Sequence, residues 1–166
     1  MSVYTHLEDF IYDLYHQHIK IYHPKNLDMH EIAYRLNIPI EYSHNINLFY
    51  RGVAIIKPST PQQEWQNFGH ELCHILRHAG NQKGLPNSFL EMQEWQAENF
   101  SKHFCIPTFM LEKLRLPKMV GQAVQCISDL FNVEPEFARS RLEQFREKIT
   151  FQEFELYSHL PKHSKS

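Results

Sequence analysis

The sequence feature that most constrains this chain is the run His70-Glu71-Leu72-Cys73-His74, which lies in a mainly apolar stretch. Each residue of an α-helix advances about 100°, so a helix places His70 and His74 one turn apart on the same face. Two imidazoles at that spacing can bind one tetrahedral Zn²⁺ ion. Glu71 is offset by one position, where its carboxylate can accept a proton from a metal-activated water molecule. The run therefore predicts His70 and His74 as zinc ligands and Glu71 as a general base.

The residues around this run predict a long helix. Thr60 is a suitable N-cap and Pro61 suits the first helical position, so we expect the helix to begin there. It is expected to end near Ala79, where Gly80 can form the C-cap. Gly69 lies inside the helix, where glycine costs about 1 kcal/mol relative to alanine. We therefore expect another part of the chain to approach closely at Gly69.

A second, acidic helix follows and offers the third ligand. Ser88 is predicted to open this helix as its N-cap, with Glu91 completing a capping box. Glu94 and Glu98 then lie one turn apart on one face. Because a catalytic zinc site has three protein ligands and keeps its fourth position for water, we predict Glu94 as the third ligand. Glu98 is predicted to accept a hydrogen bond from a ligand imidazole. The alternative is that these carboxylates form a solvated helix face.

Three strands are predicted immediately before the zinc-binding helix. Short apolar runs at 38–42, 47–50 and 53–57 have the length and residue types of strands, with Arg51-Gly52 as the turn between the last two. We expect them to form a small antiparallel sheet. The exposed edge of such a sheet could bind an extended peptide by strand addition, or the sheet could merely cover the helix. Both interpretations stay open.

Amphipathic segments at both ends of the chain predict further helices. Residues 5–20 carry apolar side chains at helical spacing, and Asp28 with Glu31 predicts the start of a short helix. Near the C-terminus, 120–131 and 136–148 predict two helices joined by a break, similar in outline to a helix-turn-helix. The charged residues of the last helix include Arg139, Arg141, Arg146, Lys148, Glu136, Glu143 and Glu147. Because these charges nearly cancel, we expect helix packing rather than DNA binding.

Composition and charge place the chain among cytoplasmic globular proteins. Its 166 residues can bury a hydrophobic core, and a net charge of −2 with a pI near 6.6 argues against a strongly basic nucleic-acid surface. Three scattered cysteines do not form a disulfide framework. The N-terminus lacks a signal pattern, and no apolar run approaches the length of a membrane span. We therefore predict a cytoplasmic location, with no nucleic-acid or membrane partner.

From Asp28 through Pro107 the chain resembles the ImmA/IrrE family of zinc metallopeptidases. In its second part the family typically shows the pattern Glu-x-x-Ala-Asn-x-Phe-Ala-x-x-Leu-Leu-x-Pro. The residues that match are Phe68, His70, Glu71, Leu72, His74, Ile75, Leu76, His78, Glu94, Ala97, Phe100 and Pro107. By position, the resemblance assigns His70, His74 and Glu94 to zinc and Glu71 to catalysis.

The chain departs from the family pattern at several positions near this site. Cys73 stands where the family usually has glycine, Glu98 where asparagine is common, and Ser101 where alanine is common. Phe104-Cys105 replaces a pair of leucines. Cys73 is offset from both histidines around the helix, so we expect a small core thiol rather than a ligand. His78 either helps to bind the substrate or an oxyanion, or is a residue at the boundary of the core.

The predicted architecture is an α+β fold, mostly helical, with one small three-stranded sheet. A zincin-like metallopeptidase domain with its N-terminal helix spans 1–115, a C-terminal helical subdomain spans 116–150, and a tail spans 151–166. The resemblance implies a zinc endopeptidase that cuts a helix-turn-helix repressor of a phage or mobile element and so releases the repressed genes. Two alternatives stay open: an anti-repressor that binds without cutting, and a DNA-binding regulator with structural zinc. Glu71 favours catalysis, because a structural site needs no base.

Overall fold

The computed structural model describes residues 3–77 and 87–158. In chain order they form α1 (His6–Asp13), a π-helix (Leu14–Ile19), a 3-10 helix (Pro24–Asn26), α2 (Met29–Arg35), β1 (Ile40–Tyr42), β2 (Leu48–Tyr50), β3 (Val53–Ile56), α3 (Pro61–Arg77), α4 (Asn87–Cys105), α5 (Thr108–Leu111), α6 (Val120–Phe131) and α7 (Pro135–Ser158). The predicted α+β class, mostly helical with one three-stranded sheet, is confirmed. None of the helices in these two ranges has both the length and the apolar character that a membrane crossing requires.

Both N-terminal helices begin at a side chain that caps them. Thr5 and Glu8 form a reciprocal capping box at α1, with the Thr5 backbone N–H donating to Glu8 Oε2 at 2.7 Å. At α2 the Glu31 backbone N–H donates to Asp28 Oδ1 at 2.8 Å, as predicted. The helix predicted to end at Lys20 does so, where the backbone turns left-handed (φ 56°), but its second half is π-helical.

The three strands form a mixed sheet in the order β1-β3-β2. β2 and β3 are antiparallel and are joined by the predicted turn at Arg51-Gly52, where both residues have positive φ. β1 runs parallel to β3, so the prediction of an antiparallel sheet is wrong for this pair. The continuous apolar run of β3 suits a central strand, which leaves the two edges to β1 and β2. Strand spacing in the sequence does not reveal that β3 inserts between the two strands that precede it.

The core lies largely between α3 and α4. Both helices contribute side chains that are 3% exposed or less: Trp65, Phe68 and Leu72 from α3, and Ala97, Phe100 and Phe104 from α4. The π-helix that follows α1 closes one side of this layer, where the Tyr15 hydroxyl donates to the Phe104 carbonyl oxygen at 2.9 Å. The burial of both inner helix faces fixes the rotation of α3 and α4 about their own axes.

A buried carboxylate joins the first helix to the last. Glu8 is 4% exposed and accepts hydrogen bonds from Thr5, Thr108 and Lys148, with Lys148 Nζ at 2.8 and 2.9 Å from its two oxygens. Burial alone raises the pKa of this carboxyl, but the hydrogen bonds from Lys148, Thr5 and Thr108 together lower it to about 2. The charged form of Glu8 therefore holds α1, α5 and α7 together.

The two C-terminal helices pack against each other, and α7 also packs against α4. Asn132 ends α6 in the left-handed region (φ 53°), which is the predicted break, and α7 continues past its predicted end at Lys148 to Ser158. The side-chain amide of Gln66 on α3 donates to Glu134 Oε2 at 3.1 Å, and its oxygen accepts the Glu134 backbone N–H at 2.7 Å. This double hydrogen bond holds the residue before α7 against Gln66, which lies one turn before His70 on α3.

Candidate metal centre and active site

Three of the predicted site residues come together between α3 and α4. His70 and His74 lie one turn apart on α3, with their Nε2 atoms 3.4 Å apart. Glu94 on α4 faces both rings, with Oε2 at 3.0 Å from His70 Nε2 and Oε1 at 3.2 Å from His74 Nε2. Within the described ranges, this is the one group of three potential ligand side chains whose ligand atoms all lie within 4.8 Å of one another.

The spacing and chemistry of this group fit a zinc ion. Two ligands at about 2.0–2.1 Å from a tetrahedral zinc lie about 3.4 Å apart, close to the separations found here. Two imidazole nitrogens with one carboxylate oxygen form a donor set typical of catalytic zinc sites. The Glu94 side chain is 55% exposed, whereas that of His74 is 12% exposed, so the group opens to solvent on the α4 side. An opening of this kind suits a site that keeps a position free for water or substrate.

A close approach of the two helices brings these ligands together. A Cβ atom built on Gly69 would lie 2.9 Å from Ser101 Oγ and 3.1 Å from Cys105 Sγ, so only glycine fits there without a shift. The Ser101 hydroxyl donates to the Gln66 carbonyl oxygen at 2.7 Å, which ties α4 directly to the α3 backbone. The predicted close contact at Gly69 is confirmed. It sets the separation of α3 and α4 next to His70.

Glu71 lies in a setting suited to proton transfer. Glu71 is only 7% exposed. Burial, followed by the negative charge of Glu94, raises the pKa of Glu71 to about 7, while the backbone N–H of Phe49 opposes the shift. A carboxylate with a pKa in this range can both accept and release a proton near neutral pH.

Among the described residues, one edge strand of the sheet lies beside this group. β2 is an edge strand, and Tyr50 and Val53 flank its two-residue turn. Because hydrogen-bonded and non-bonded pairs alternate along an antiparallel ladder, the next pair, Phe49 with Ala54, leaves the Phe49 N–H pointing away from β3. That N–H is the one that acts on Glu71. The edge strand therefore borders the candidate metal centre.

The remaining predicted residues have other positions. α4 begins at Asn87, so the predicted N-cap role of Ser88 is wrong, because Ser88 lies inside the first turn. Glu98 is exposed one turn beyond Glu94 and lies outside the group, and its hydrogen bond to a ligand imidazole stays a prediction. Cys73 is 1% exposed in the core, as predicted, and burial raises the pKa of its thiol to about 11. His78 lies outside the described residues.

Two contributions to the site were missed by reasoning from sequence. The backbone N–H of Phe49 acts on Glu71, but main-chain contacts of this kind depend on strand order, which no residue type reveals. The hydroxyl of Ser101 binds the α3 backbone across the helix interface. A serine at a buried helix position, three residues before an apolar run resumes, was a usable signal for such a polar contact.

Comparisons with known proteins give consistent matches. The Peptidase M78 sequence profile, described as the IrrE N-terminal-like domain, matches residues 35–143. The chain is 38% identical over 149 residues to the phage-like element PBSX protein XkdA of Bacillus subtilis (strain 168), which covers 87% of this chain and 75% of that protein. It is 35% identical over 151 residues to the uncharacterized protein YqaB of the same strain, covering 88% and 87%. No solved structure gives a significant match.

The profile match includes the whole sheet, α3 to α6 and all three members of the candidate metal group. Both relatives extend the similarity over most of the chain. The matched region contains His70, His74 and Glu94, whose geometry could hold a metal ion. The chain therefore belongs to the family of IrrE N-terminal-like domains, a metallopeptidase family.

Proposed function

We propose that this protein is a cytoplasmic zinc endopeptidase that cuts a helix-turn-helix repressor of a phage or mobile element and thereby releases the repressed genes. The observation that carries the proposal is the convergence of His70, His74 and Glu94 beside the buried carboxylate of Glu71. The name of the relative XkdA, a protein of the phage-like element PBSX, supports the proposal that the substrate belongs to a phage or mobile element. The repressor as substrate rests on the resemblance described above.

In the proposed reaction, the two histidines and Glu94 would hold a zinc ion, which would supply Lewis acidity for the scissile carbonyl and the attacking water. Glu71 accepts a proton from that water at a carboxylate oxygen and then passes it to the nitrogen of the leaving amine. Its burial supports this role, because a desolvated carboxylate is a stronger proton acceptor than an exposed one. The position of Glu71 next to the ligands keeps the proton path short.

We further propose that the peptide to be cut lies along β2. The Phe49 carbonyl oxygen, on the outer edge of this strand, can accept a hydrogen bond from an extended segment, while the Phe49 N–H already acts on Glu71 and so places β2 beside it. This supports the strand-addition interpretation over a sheet that only covers the helix. A peptide paired with β2 would pass close to the ligand group on α3.

The rival proposal, a DNA-binding regulator, gains little support from the C-terminal helices. Arg141 on α7 is 1% exposed and donates to the Ile106 carbonyl oxygen and to Thr108 Oγ1. Lys148 is engaged with the buried Glu8. Two of the four basic residues of this helix therefore serve internal packing, which leaves a weaker basic footprint than the sequence alone contains.

The test is incubation of the zinc-loaded protein with the repressor encoded beside its gene, followed by intact-mass measurement of both. We expect two repressor fragments whose masses sum to the intact chain plus one water, and no fragments with the His70→Ala variant. A repressor that stays intact while forming a stable complex would instead support the anti-repressor. If the repressor is neither bound nor cleaved, this repressor is not the substrate.

A further inference from the structure

A row of exposed apolar side chains runs along α4 next to the candidate metal centre. Phe89, Met92 and Trp95 follow one another at intervals of three residues and are 41%, 45% and 65% exposed. Residues three apart are neighbours on a helix surface, so these side chains form one continuous row, which we call the α4 apolar row. Trp95 directly follows Glu94. The row therefore lies on the same helix as Glu94, beside the candidate metal group.

Two further carboxylates separate the row from the ligands. At about 100° per residue, Glu98 and Glu91 lie about 40° and 60° around the helix from Glu94, and Trp95 lies about 100° from it. Both glutamates are exposed. No lysine or arginine occurs between Asn87 and Lys102, which is in the last turn of α4. A segment that crosses α4 outward from the metal group meets negative charge first and then an aromatic surface.

We propose that the α4 apolar row, with Glu91 and Glu98, binds a segment of the protein substrate in which bulky apolar side chains alternate with lysine or arginine. The inference rests on the proposed peptidase function and adds to it a preference outside the metal centre. An exposed tryptophan beside a cleft is a typical anchor for a bulky apolar side chain. Carboxylates at its border attract basic residues and repel acidic ones.

Charge also decides between this occupant and a second copy of the chain. An antiparallel two-fold contact centred on the row would place Glu91 and Glu98 opposite the same carboxylates of the other copy. Such a contact repels itself in the absence of a basic residue on this stretch of the helix. A basic and apolar peptide has the complementary charge.

The two tryptophans of the chain allow a direct binding measurement. Trp65 is 3% exposed and Trp95 is 65% exposed, so a change in fluorescence on docking comes from Trp95. The probe is a twelve-residue peptide of alternating lysine and leucine with blocked ends, and its control replaces every lysine by glutamate. Both are titrated into the full-length Glu71→Gln protein, which prevents cleavage, with and without added Zn²⁺.

We expect a blue shift in emission with the lysine peptide and an affinity at least about tenfold weaker for the glutamate peptide. Trp95→Phe should abolish the shift, and the double variant Glu91→Gln/Glu98→Gln should remove the preference. The exposed Tyr34 on α2, at 79% exposure, provides a control, because Tyr34→Ala should bind like the parent. Equal affinity for both peptides, or no shift with either, would overturn the proposal.

Three other outcomes are separable from these. A blue shift that grows with protein concentration alone would assign the row to a second copy and overturn the peptide-binding proposal. Cleavage of peptides by the wild-type protein without preference for basic ones would leave the peptidase function in place and overturn only this inference. Preferential binding of the lysine peptide without cleavage of any peptide by the wild type would support the docking site and count against the peptidase.

Discussion

Gly69 on α3 lies so close to Ser101 on α4 that a Cβ atom at Gly69 would come within 2.9 Å of Ser101 Oγ. The next residue along α3 is His70, and Glu94 precedes Ser101 by about two turns on α4. The contact between a glycine and a serine therefore sets how near the carboxylate comes to the imidazoles. It links helix packing to the geometry of the candidate metal group.

The first prediction concerns this contact. Gly69→Ala gains about 1 kcal/mol of helix propensity but crowds Ser101, which is already held by the Gln66 carbonyl. Overpacking costs about 1–3 kcal/mol, so after the gain in propensity we expect a net loss of up to about 2 kcal/mol in the free energy of unfolding, together with weaker zinc binding. Urea unfolding and chelator competition measure both. Gly121→Ala on α6, where a Cβ meets nothing within 4 Å, is the matched control and should not destabilise the protein.

The second prediction orders the three glutamates of α4 by their effect on zinc. Glu94→Ala removes the carboxylate that faces both imidazoles and should cause the largest loss of zinc affinity. Glu98→Ala should cost on the order of 10–100-fold in affinity if it supports a ligand imidazole. Glu91→Ala should retain zinc. Competition with a chelator measures all three, and retention of zinc by Glu94→Ala with loss in either of the others would contradict the assignment.

How far the sequence predicted this fold depended on whether the information was local. The helix that carries His70 and His74 was predictable because capping residues and the apolar pattern lie within it. The position of Glu94 opposite the two histidines was predictable because a third ligand was sought and this carboxylate lies on the next helix. The parallel pairing of β1 with β3 was not, since it depends on which strand takes the centre of the sheet. The same holds for the approach of Phe49 to Glu71.

The third prediction concerns acid stability. The pKa of Glu8 is about 2 in the folded protein against an ordinary value of 4.5, so the unfolded chain binds more protons between these values. The stabilisation is complete above about pH 4.5 and is lost as the pH falls toward 2, and it is on the order of 3 kcal/mol. Urea unfolding of wild type and Glu8→Gln should therefore differ most above pH 4.5 and converge toward pH 2.

Glu143, which is exposed on α7, provides the control for this measurement. Glu143→Gln should unfold like the wild type across the same pH range. A constant difference between wild type and Glu8→Gln at every pH would show that the charge of Glu8 is not the source of the stabilisation.

The fourth prediction concerns DNA. With Arg141 buried and Lys148 paired with Glu8, we expect no sequence-specific binding to duplex DNA at physiological salt. A gel shift and a footprint on the promoter region of its own gene are suitable measurements. A protected site at nanomolar protein would contradict this expectation and support a regulator that acts on DNA.

The most direct test of the peptidase proposal is to compare zinc content and repressor cleavage in the wild type and Glu71→Gln. The substitution keeps the shape of the side chain but removes its capacity to accept a proton, and it leaves His70, His74 and Glu94 in place. We predict about one zinc per chain in both proteins by elemental analysis. We also predict a fall in cleavage rate on the order of 10²-fold or more, followed by intact mass. Equal cleavage rates, or no zinc in the wild type, would contradict the central claim.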